Sequence, residues 1–380
     1  MNPPETGKKG PKPCLPGRQA RILVAPLDWG LGHATRCIPL IRELLAQQAE
    51  VWLAGEGAQE QLLKAEFPEL PFLSLPGYRI HYSRTAWGLT WKMIQQGPKM
   101  LRAIRYEHRW LKKKVKEHGF DAVISDNRFG LYHATTPCVF VTHQLRIKSA
   151  GGKRWIEAIL QKRNYRFINK YTACWVPDSE GDNNLAGELS HPDKQPAVPV
   201  RYIGLLSRFH KKDIAEKKGH LLFILSGPEP QRSLLEEKII RDIGHYNGTA
   251  VIIRGLPGSA SLIPSTNMIQ FINHLPAEEL NKAMQQAEYI IGRSGYSTVM
   301  DVIALQKKSI LIPTPGQTEQ LYLGELLMKK GIAVCINQKT FSLNDVLKVA
   351  RTFPYKVPLV ETTNQLSAAV TSFIQTATAR

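Results

Sequence analysis

The sequence predicts two doubly wound α/β domains facing each other, and three observations carry that prediction. From residue 21 onward, short β-branched runs alternate with helical stretches, the order that yields a mostly parallel sheet covered on both faces. The alternation pauses over a polar, charged stretch at 207–219 and then restarts with the same grammar. At about 100–200 residues per domain, a chain of 380 residues exceeds what one core organises. Hydrophobic residues make up 43% and charged residues 22%, a globular composition. No apolar run approaches the roughly 20 residues needed to span a bilayer.

Residues 1–20 are basic and rich in Pro and Gly, lack the apolar middle of a signal peptide, and read as a disordered tail. The first domain is expected over 21–206, with strands at 22–27, 50–54, 72–75, 122–125, 138–142 and 174–177. Helices are expected between them at 35–48, 57–66, 87–118 and 153–170. After the linker at 207–219, a second domain over 220–355 takes strands at 221–225, 250–254, 268–271, 289–291, 310–312 and 333–336. Its helices fall near 230–243, 277–286, 297–305, 318–330 and 342–352. The remaining 356–380 holds a last helix near 363–377, able to pack back across the first domain. Ligands of doubly wound sheets bind beyond the C-terminal ends of the strands, so two such sheets imply a cleft between them. Five cysteines (14, 37, 138, 174, 335) form no Cys-x-x-Cys pair and are odd in number, which argues against a disulfide framework and for the reducing cytoplasm.

The net charge of +18 is local. Residues 1–21 carry +4, residues 84–118 carry +8 and residues 144–170 carry +7, leaving the rest of the chain close to neutral. Two of these segments also hold aromatics. Trp87, Trp91 and Ile94 keep helical spacing. Beyond Gly97-Pro98, Leu101, Ile104, Leu111 and Val115 continue it among Arg105, Arg109, Lys112 and Lys113. Trp155, Ile156, Ile159 and Leu160 repeat the theme. Such helices suit the interface of an anionic membrane, and they equally suit a core-facing stripe with a solvated charged back. No nucleic-acid-binding motif accompanies the charge, so nucleic acid is not an expected partner.

Directly after the first strand comes Asp28-Trp-Gly-Leu-Gly-His-Ala-Thr-Arg36. Gly30 and Gly32 permit a tight strand-to-helix turn whose N–H groups face the cleft. His33 then stands at a helix N-terminus, where the positive dipole end favours the neutral imidazole that can take a proton from a hydroxyl nucleophile. A structural, hydrogen-bonding His is the competing reading. The dinucleotide fingerprint is ruled out, because it needs glycine where Thr35 stands. Asp126, in Ser125-Asp-Asn-Arg128, and His143 also follow first-domain strands, either as alternative bases or as turn caps.

The second half holds Phe271-Ile-Asn-His-Leu275, then Gly292-Arg-Ser-Gly-Tyr-Ser-Thr-Val-Met-Asp301, then Pro313-Thr-Pro-Gly-Gln-Thr-Glu-Gln320. Gly295 ends a strand, and Tyr296, Ser297 and Thr298 open a helix whose free N–H groups can hold a diphosphate. Asp301, one turn on, can accept hydrogen bonds from both ribose hydroxyls. Gln317 and Gln320 can reach sugar hydroxyls from the same rim. A helix cap is the alternative for either motif alone.

In order and spacing these motifs resemble the donor half of GT-B glycosyltransferases of the MurG (family 28) type, whose pattern runs Phe-Ile-Asp-Asp-Met, Arg-Ser-Gly-Ala-x-Thr-x-x-Glu, then Pro-x6-Gln. The resemblance covers about 267–335, and the Gly-Leu-Gly-His33 loop is similar to that family's glycine-rich loop ending in His. It implies a GT-B fold and a nucleotide-sugar substrate with no resident cofactor. It also implies that the backbone of Ile272 contacts the base, Gly295 to Thr298 the diphosphate, Asp301 the ribose and Gln320 the donor sugar. Arg208 stands where a phosphate-facing Arg follows the last strand of the first domain. The basic, aromatic segment after the third strand resembles the family's membrane-contact surface. Two departures stand out. Ser226-Gly-Pro-Glu-Pro-Gln replaces a Gly-Gly-Ser-x-Gly loop, and its prolines lack N–H donors. Thr142-His143-Gln144-Leu145 stands for His-Glu-Gln-Asn, which points away from the usual peptidoglycan lipid as acceptor.

The expected activity is inverting, metal-independent transfer from a nucleotide sugar, UDP-linked by resemblance, to a hydroxyl acceptor that a lipid could carry. The expected setting is the cytoplasmic face of the cell membrane. No Asp-x-Asp occurs to support a metal-dependent GT-A mechanism, and the Cys and His spacings offer no zinc site. Two rivals remain at this stage. Gly30-Leu-Gly-His-Ala-Thr-Arg36 also resembles the Gly-x-Gly-His-x-x-Arg of nucleotide-sugar hydrolases, in which water is the acceptor. The other rival is a non-catalytic nucleotide-binding subunit at the membrane surface.

Overall fold

The computed structural model describes residues 18–78, 97–149, 151–257, 259–359 and 363–379. In the first half, β1 (Arg21–Pro26), β2 (Glu50–Gly55), β3 (Phe72–Ser74), β4 (Ala122–Asp126), β5 (Cys138–Val141), β6 (Ala173–Val176) and β7 (Val200–Tyr202) form one parallel sheet. Its order is β3-β2-β1-β4-β5-β6-β7. The helices of this half are α1 (Leu31–Ala46), α2 (Gly57–Glu66), α3 (Gly97–His118) and α4 (Arg154–Ile168). The central strands are buried along nearly their whole length, as Val/Ile/Leu-rich runs between two helical layers must be.

The second half repeats the plan. Strands β8 (His220–Ile224), β9 (Thr249–Ile253), β10 (Ile269–Ile272), β11 (Tyr289–Gly292), β12 (Ser309–Leu311) and β13 (Val334–Cys335) pair in parallel, in the order β10-β9-β8-β11-β12-β13. Around them lie α5 (Gln231–Ile243), α6 (Ala277–Gln286), α7 (Tyr296–Ala304), α8 (Thr318–Lys329) and α9 (Leu343–Thr352). The final helix, α10 (Thr363–Thr378), packs against the first half: Gln47 Nε2 donates to the Ser367 carbonyl at 3.1 Å, and Phe373 meets Trp175 edge-on.

Two details differ from the sequence expectation, and a third lies partly outside the described residues. Strand β7 was not expected, and it adds a seventh strand at the edge beside β6. Helix α1 starts at Leu31, four residues before the expected 35, so His33 lies in its first turn. Of the helix expected over 87–118, the part from Gly97 is helical, with Pro98 in the first turn, where a missing N–H costs nothing. Residues 87–96, with Trp87 and Trp91, lie outside the described residues.

Each sheet reverses its strand order once, at β1/β4 and at β8/β11. Those switch points are where the loops beyond the strands splay apart and leave a crevice. In the first sheet Pro26 pairs with Asp126, and Asp126 with Val141, so the chain ends of β1, β4 and β5 lie on one rim. In the second, Gly292 pairs with Ile224 and with Leu311, aligning the loops that follow β8, β11 and β12. The two rims meet. A single apolar cluster runs from Ile38 and Ile41 of α1 to Val299, Met300 and Ile303 of α7.

Candidate functional site

The site is built where the rims meet. Gly30 caps α1 with φ +78, a conformation that a side chain would strain. Gly32 is required by closeness instead: a Cβ there would stand 3.0 Å from the Oγ of Ser297 in the other half. That hydroxyl donates to the Gly32 carbonyl at 2.9 Å. The N-termini of α1 and α7 therefore adjoin across the cleft, and their combined unpaired N–H groups and positive dipole ends favour an anion between them. Asp28 uses Oδ1 to accept from the Tyr78 N–H at 2.9 Å, holding the chain that follows β3 against the glycine loop.

The register of β1, β4 and β5 brings His33, Asp126 and His143 into one cluster around Arg36. His33 Nδ1 lies 3.1 Å from Asp126 Oδ1 and 2.9 Å from Arg36 Nη2. Arg36 donates through Nε to Asp126 Oδ2 at 2.6 Å, with Nη2 also on that carboxylate, and its Nη1 lies 3.2 Å from His143 Nδ1. His143 Nε2 reaches across the cleft to Glu319 Oε1 at 2.7 Å. Its ring stacks on Tyr296 at 4.2 Å and 10°.

Burial, then the Arg36 cation, push the His33 pKa down, while Asp126 partly opposes them; the imidazole is neutral near pH 7. For Asp126, burial alone would raise the pKa, but Arg36 and His33 together hold the carboxyl well below the usual carboxylate range. Burial likewise pushes Glu319 upward, and His143, His33 and Arg36 outweigh it and hold that carboxyl low. With a guanidinium at its centre, this cluster is unsuited to a metal cation.

These contacts separate the three candidate bases. Asp126 is wholly buried and committed to Arg36, and His143 has a partner on each ring nitrogen. His33 has contacts at Nδ1, its Nε2 meets no hydrogen-bonding group among the described residues, and 14% of its side chain is exposed. Of the three, His33 is placed to take a proton.

On the second rim, Asp301 Oδ1 accepts from Ser207 Oγ at 2.7 Å, and the neighbouring Arg208 guanidinium lies over the Phe209 ring. Burial raises the Asp301 pKa to about 6 despite Ser207 and Arg208. Burial also lowers that of Arg208, which Asp301 partly opposes, and Arg208 Nε has no partner among the described residues. Gly295 is the N-cap of α7, with Thr298 half-exposed on its first turn. Tyr296, expected to face the diphosphate, is buried, with its hydroxyl on the Pro177 carbonyl at 2.8 Å; only its backbone remains for a ligand. Gln320 Oε1 accepts from the Thr314 N–H at 2.8 Å, and its Nε2 lies 3.8 Å from where a Cβ on Gly295 would stand. Gln317 is the N-cap of α8. The Ile272 carbonyl, at the end of β10, accepts from the Arg254 N–H at 2.8 Å.

Sequence reasoning missed Arg36, Glu319 and Ser207 as members of the site. A signal existed for Arg36: a charged residue among Ala34, Cys37, Ile38 and Ile41, on the face of α1 that is buried.

The surface helices divide. In α3, Ile104 and Leu111 pack inward, so this stripe belongs to the core, while Arg105, Arg109, Lys112 and Lys113 are exposed. In α4, Trp155 is 65% and Ile159 58% exposed, beside exposed Arg154, Lys162 and Arg163. Among the described residues, no helix is long and apolar enough to cross a membrane.

Residues 259–374 match the model of the glycosyltransferase family 28 C-terminal domain. The chain is 34% identical over 339 residues, 84% of its length and 85% of the relative's, to a UDP-N-acetylglucosamine–N-acetylmuramyl-(pentapeptide) pyrophosphoryl-undecaprenol N-acetylglucosamine transferase of Lawsonia intracellularis. Among solved structures it is similar to the glycotransferase of kitacinnamycin, with TM-score 0.62, 15% identity and 95% of each chain covered. It is also similar to MurG of Acinetobacter baumannii, with TM-score 0.56, 13% identity, and 93% and 99% of the two chains covered. The two-sheet architecture is the GT-B fold.

Proposed function

Because this chain belongs to the MurG-like family 28 glycosyltransferases, we propose that it transfers a sugar from a UDP-linked donor to the hydroxyl of a lipid-linked acceptor, with inversion and with His33 as general base. One observation carries this reading: among the described residues His33 Nε2 has no hydrogen-bonding partner, and it stands on the acceptor-side rim within a turn of the Gly32–Ser297 contact that brings the α7 N-terminus to the same point. The Nδ1–H tautomer of His33 donates to Asp126 and leaves a lone pair on Nε2. That lone pair removes the acceptor's hydroxyl proton as the oxygen attacks the anomeric carbon. The bond from that carbon to the β-phosphate oxygen breaks, the diphosphate leaves with the electron pair, and the His33 proton passes to solvent. Charge on the leaving group is met by the first-turn N–H groups of Tyr296 to Thr298 and by Arg208. Asp301 then accepts from the ribose, and Gln317 and Gln320 contact the donor sugar. The relative named above suggests UDP-N-acetylglucosamine as donor. Its acceptor is less readily carried over, since Thr142-His143-Gln144-Leu145 stands at the acceptor side and His143 is bound to Glu319.

The exposed Trp155 and Ile159, set among cations, supply an anionic-membrane contact on the acceptor half, where a lipid-linked acceptor would be met. The deciding experiment incubates the protein with UDP-N-acetylglucosamine alone and with a total lipid extract, following UDP release and sugar incorporation into lipid. Incorporation dependent on the extract supports the transferase. Rapid UDP release with no acceptor would instead make water the acceptor.

A further inference from the structure

We propose that Glu319, a residue of the donor half, fixes the tautomer of His33 in the acceptor half through His143 and Arg36, so that the base is set only when the halves are together. The inference rests on the reading of His33 as base for its consequence, though not for its geometry.

Glu319, His143, Arg36 and His33 form a series of four polar groups, and as far as Arg36 each has one arrangement that satisfies the next. The Glu319 carboxylate has no proton to give, so at 2.7 Å it must accept one from His143 Nε2. A neutral imidazole carries one N–H, and with it on Nε2 the Nδ1 lone pair is left to accept. Arg36 Nη1, 3.2 Å away, can only donate, and so completes that bond. The guanidinium is thereby held by His143 on one side and by Asp126 on the other. The remaining ambiguity sits at His33 Nδ1, with a donor, Arg36 Nη2, at 2.9 Å and an acceptor, Asp126 Oδ1, at 3.1 Å. As a donor toward Asp126, Nδ1 leaves Nε2 basic. As an acceptor from Arg36, it places the proton on Nε2, and the base is lost. A guanidinium already engaged by His143 is less free to turn its Nη2 hydrogens onto His33. Loss of the Glu319 contact leaves Arg36 alone to hold the His143 tautomer, and makes accessible the opposite one, whose Nδ1–H repels Arg36 toward His33.

The link between the halves is therefore chemical as well as steric. Glu319 is in the first turn of α8 and Tyr296 in the first turn of α7, both second-half elements, and both touch His143. Opening of the cleft breaks both contacts at once. Charge follows the same path: the Glu319 anion favours the protonated form of His33, which burial and Arg36 oppose and Asp126 supports.

The test is the ring-nitrogen NMR spectrum of full-length protein labelled with ¹⁵N-histidine, the His33 resonances being assigned by their loss in His33→Ala. The parent should show His33 protonated on Nδ1 and His143 on Nε2. His143→Gln keeps an oxygen to accept from Arg36 and an N–H to donate to Glu319, and should preserve the His33 tautomer. His143→Leu and Glu319→Ala should shift it toward Nε2–H, and Glu319→Ala should also move the His33 titration to lower pH. UDP release from UDP-N-acetylglucosamine with lipid extract should be at least tenfold faster in His143→Gln than in His143→Leu. Calorimetric UDP binding by all variants reports that they are folded. The relay is overturned if His33 is Nε2–H in the parent, or if its tautomer is the same in His143→Leu, Glu319→Ala and the parent. Turnover persisting in His33→Ala, with the tautomer pattern intact, would overturn the base assignment and leave the relay standing.

Discussion

At the residue scale, His33 and Asp301 show burial acting in opposite senses on two groups that need opposite charge states. Burial lowers the His33 pKa, which keeps the base unprotonated near neutral pH. His33→Ala should leave UDP affinity nearly intact and cut turnover by a factor on the order of 10²–10⁴, as loss of a general base does. Turnover within a few-fold of the parent would remove it from that role. For Asp301, burial lifts the carboxyl to about 6. Between its ordinary value and pH 6 the native state then binds more protons than the unfolded chain, so stability from this group falls as pH rises through that window. Asp301→Asn should accordingly raise Tm relative to the parent at pH 8, with the gain fading as pH falls toward about 4, where both states of the parent approach protonation. On the proposed reading, the same ionisation sets ribose recognition. Affinity for UDP in the parent should decline as pH drops below 6, and Asp301→Asn should bind weakly at every pH. A flat pH dependence of UDP affinity in the parent would show that Asp301 does not contact the ribose.

At the element scale, α4 differs from α3 in what its apolar residues do. Ile104 and Leu111 of α3 are covered by the body of the protein, whereas Trp155 and Ile159 of α4 project into solvent one turn apart, among Arg154, Lys162 and Arg163. Each cation near an anionic surface contributes about 1 kcal/mol, a contribution that salt weakens, while a Trp anchor is insensitive to salt. Sedimentation with anionic liposomes should therefore fall with rising salt without vanishing. Trp155→Ala/Ile159→Ser should abolish the salt-resistant part, and reversing Arg105, Arg109, Lys112 and Lys113 should weaken the salt-sensitive part that they share with Arg154, Lys162 and Arg163. Equal binding of the parent and both variants would make α4 a solvated surface with no membrane role. The same contrast marks what could be read beforehand. Periodicity located every helix of the second half to within a residue or two, because each needs one buried stripe. It could not say that Trp155 faces outward, since exposure depends on which neighbours the fold supplies. Strand β7 escaped because three residues after a Pro-rich stretch carry too little pattern, and the start of α1 escaped because Gly30-Leu-Gly32 reads as a turn. The Arg36 cluster escaped for a third reason. The contacts of Arg36 with Asp126 and His143 span 90 and 107 residues and that of His143 with Glu319 spans 176, so strand register and the packing of the two halves, not local sequence, bring them together.

At the scale of the whole molecule, the two halves share the apolar cluster of α1 and α7, and at its cleft-facing edge Gly32 and Ser297 make a polar contact close enough to be tested by single methyl groups. A methyl on Gly32 would stand 3.0 Å from Ser297 Oγ and 3.4 Å from its Cβ, so the Ser297 side chain must give by a few tenths of an ångström, which strains its bond to the Gly32 carbonyl. Removing the hydroxyl first takes away the closer contact and leaves the 3.4 Å distance, which is ordinary packing. Ser297→Ala alone loses one neutral hydrogen bond, about 0.5–1.5 kcal/mol, or a factor of roughly 2 to 13. Gly32→Ala alone should cost more, because it strains that bond and also presses the α1 and α7 N-termini apart, moving the first turn of α7 away from His33. The double variant should then resemble Ser297→Ala and not the sum of the two, a coupling that residues in direct contact show and distant ones do not. Turnover read with UDP-N-acetylglucosamine and lipid extract supplies the cycle, and UDP affinity tells whether the loss lies in binding or in the step that needs both rims. If the two substitutions add independently, Gly32 and Ser297 are not in contact during turnover, and the polar contact between the two helix N-termini plays no part in the step that needs both rims.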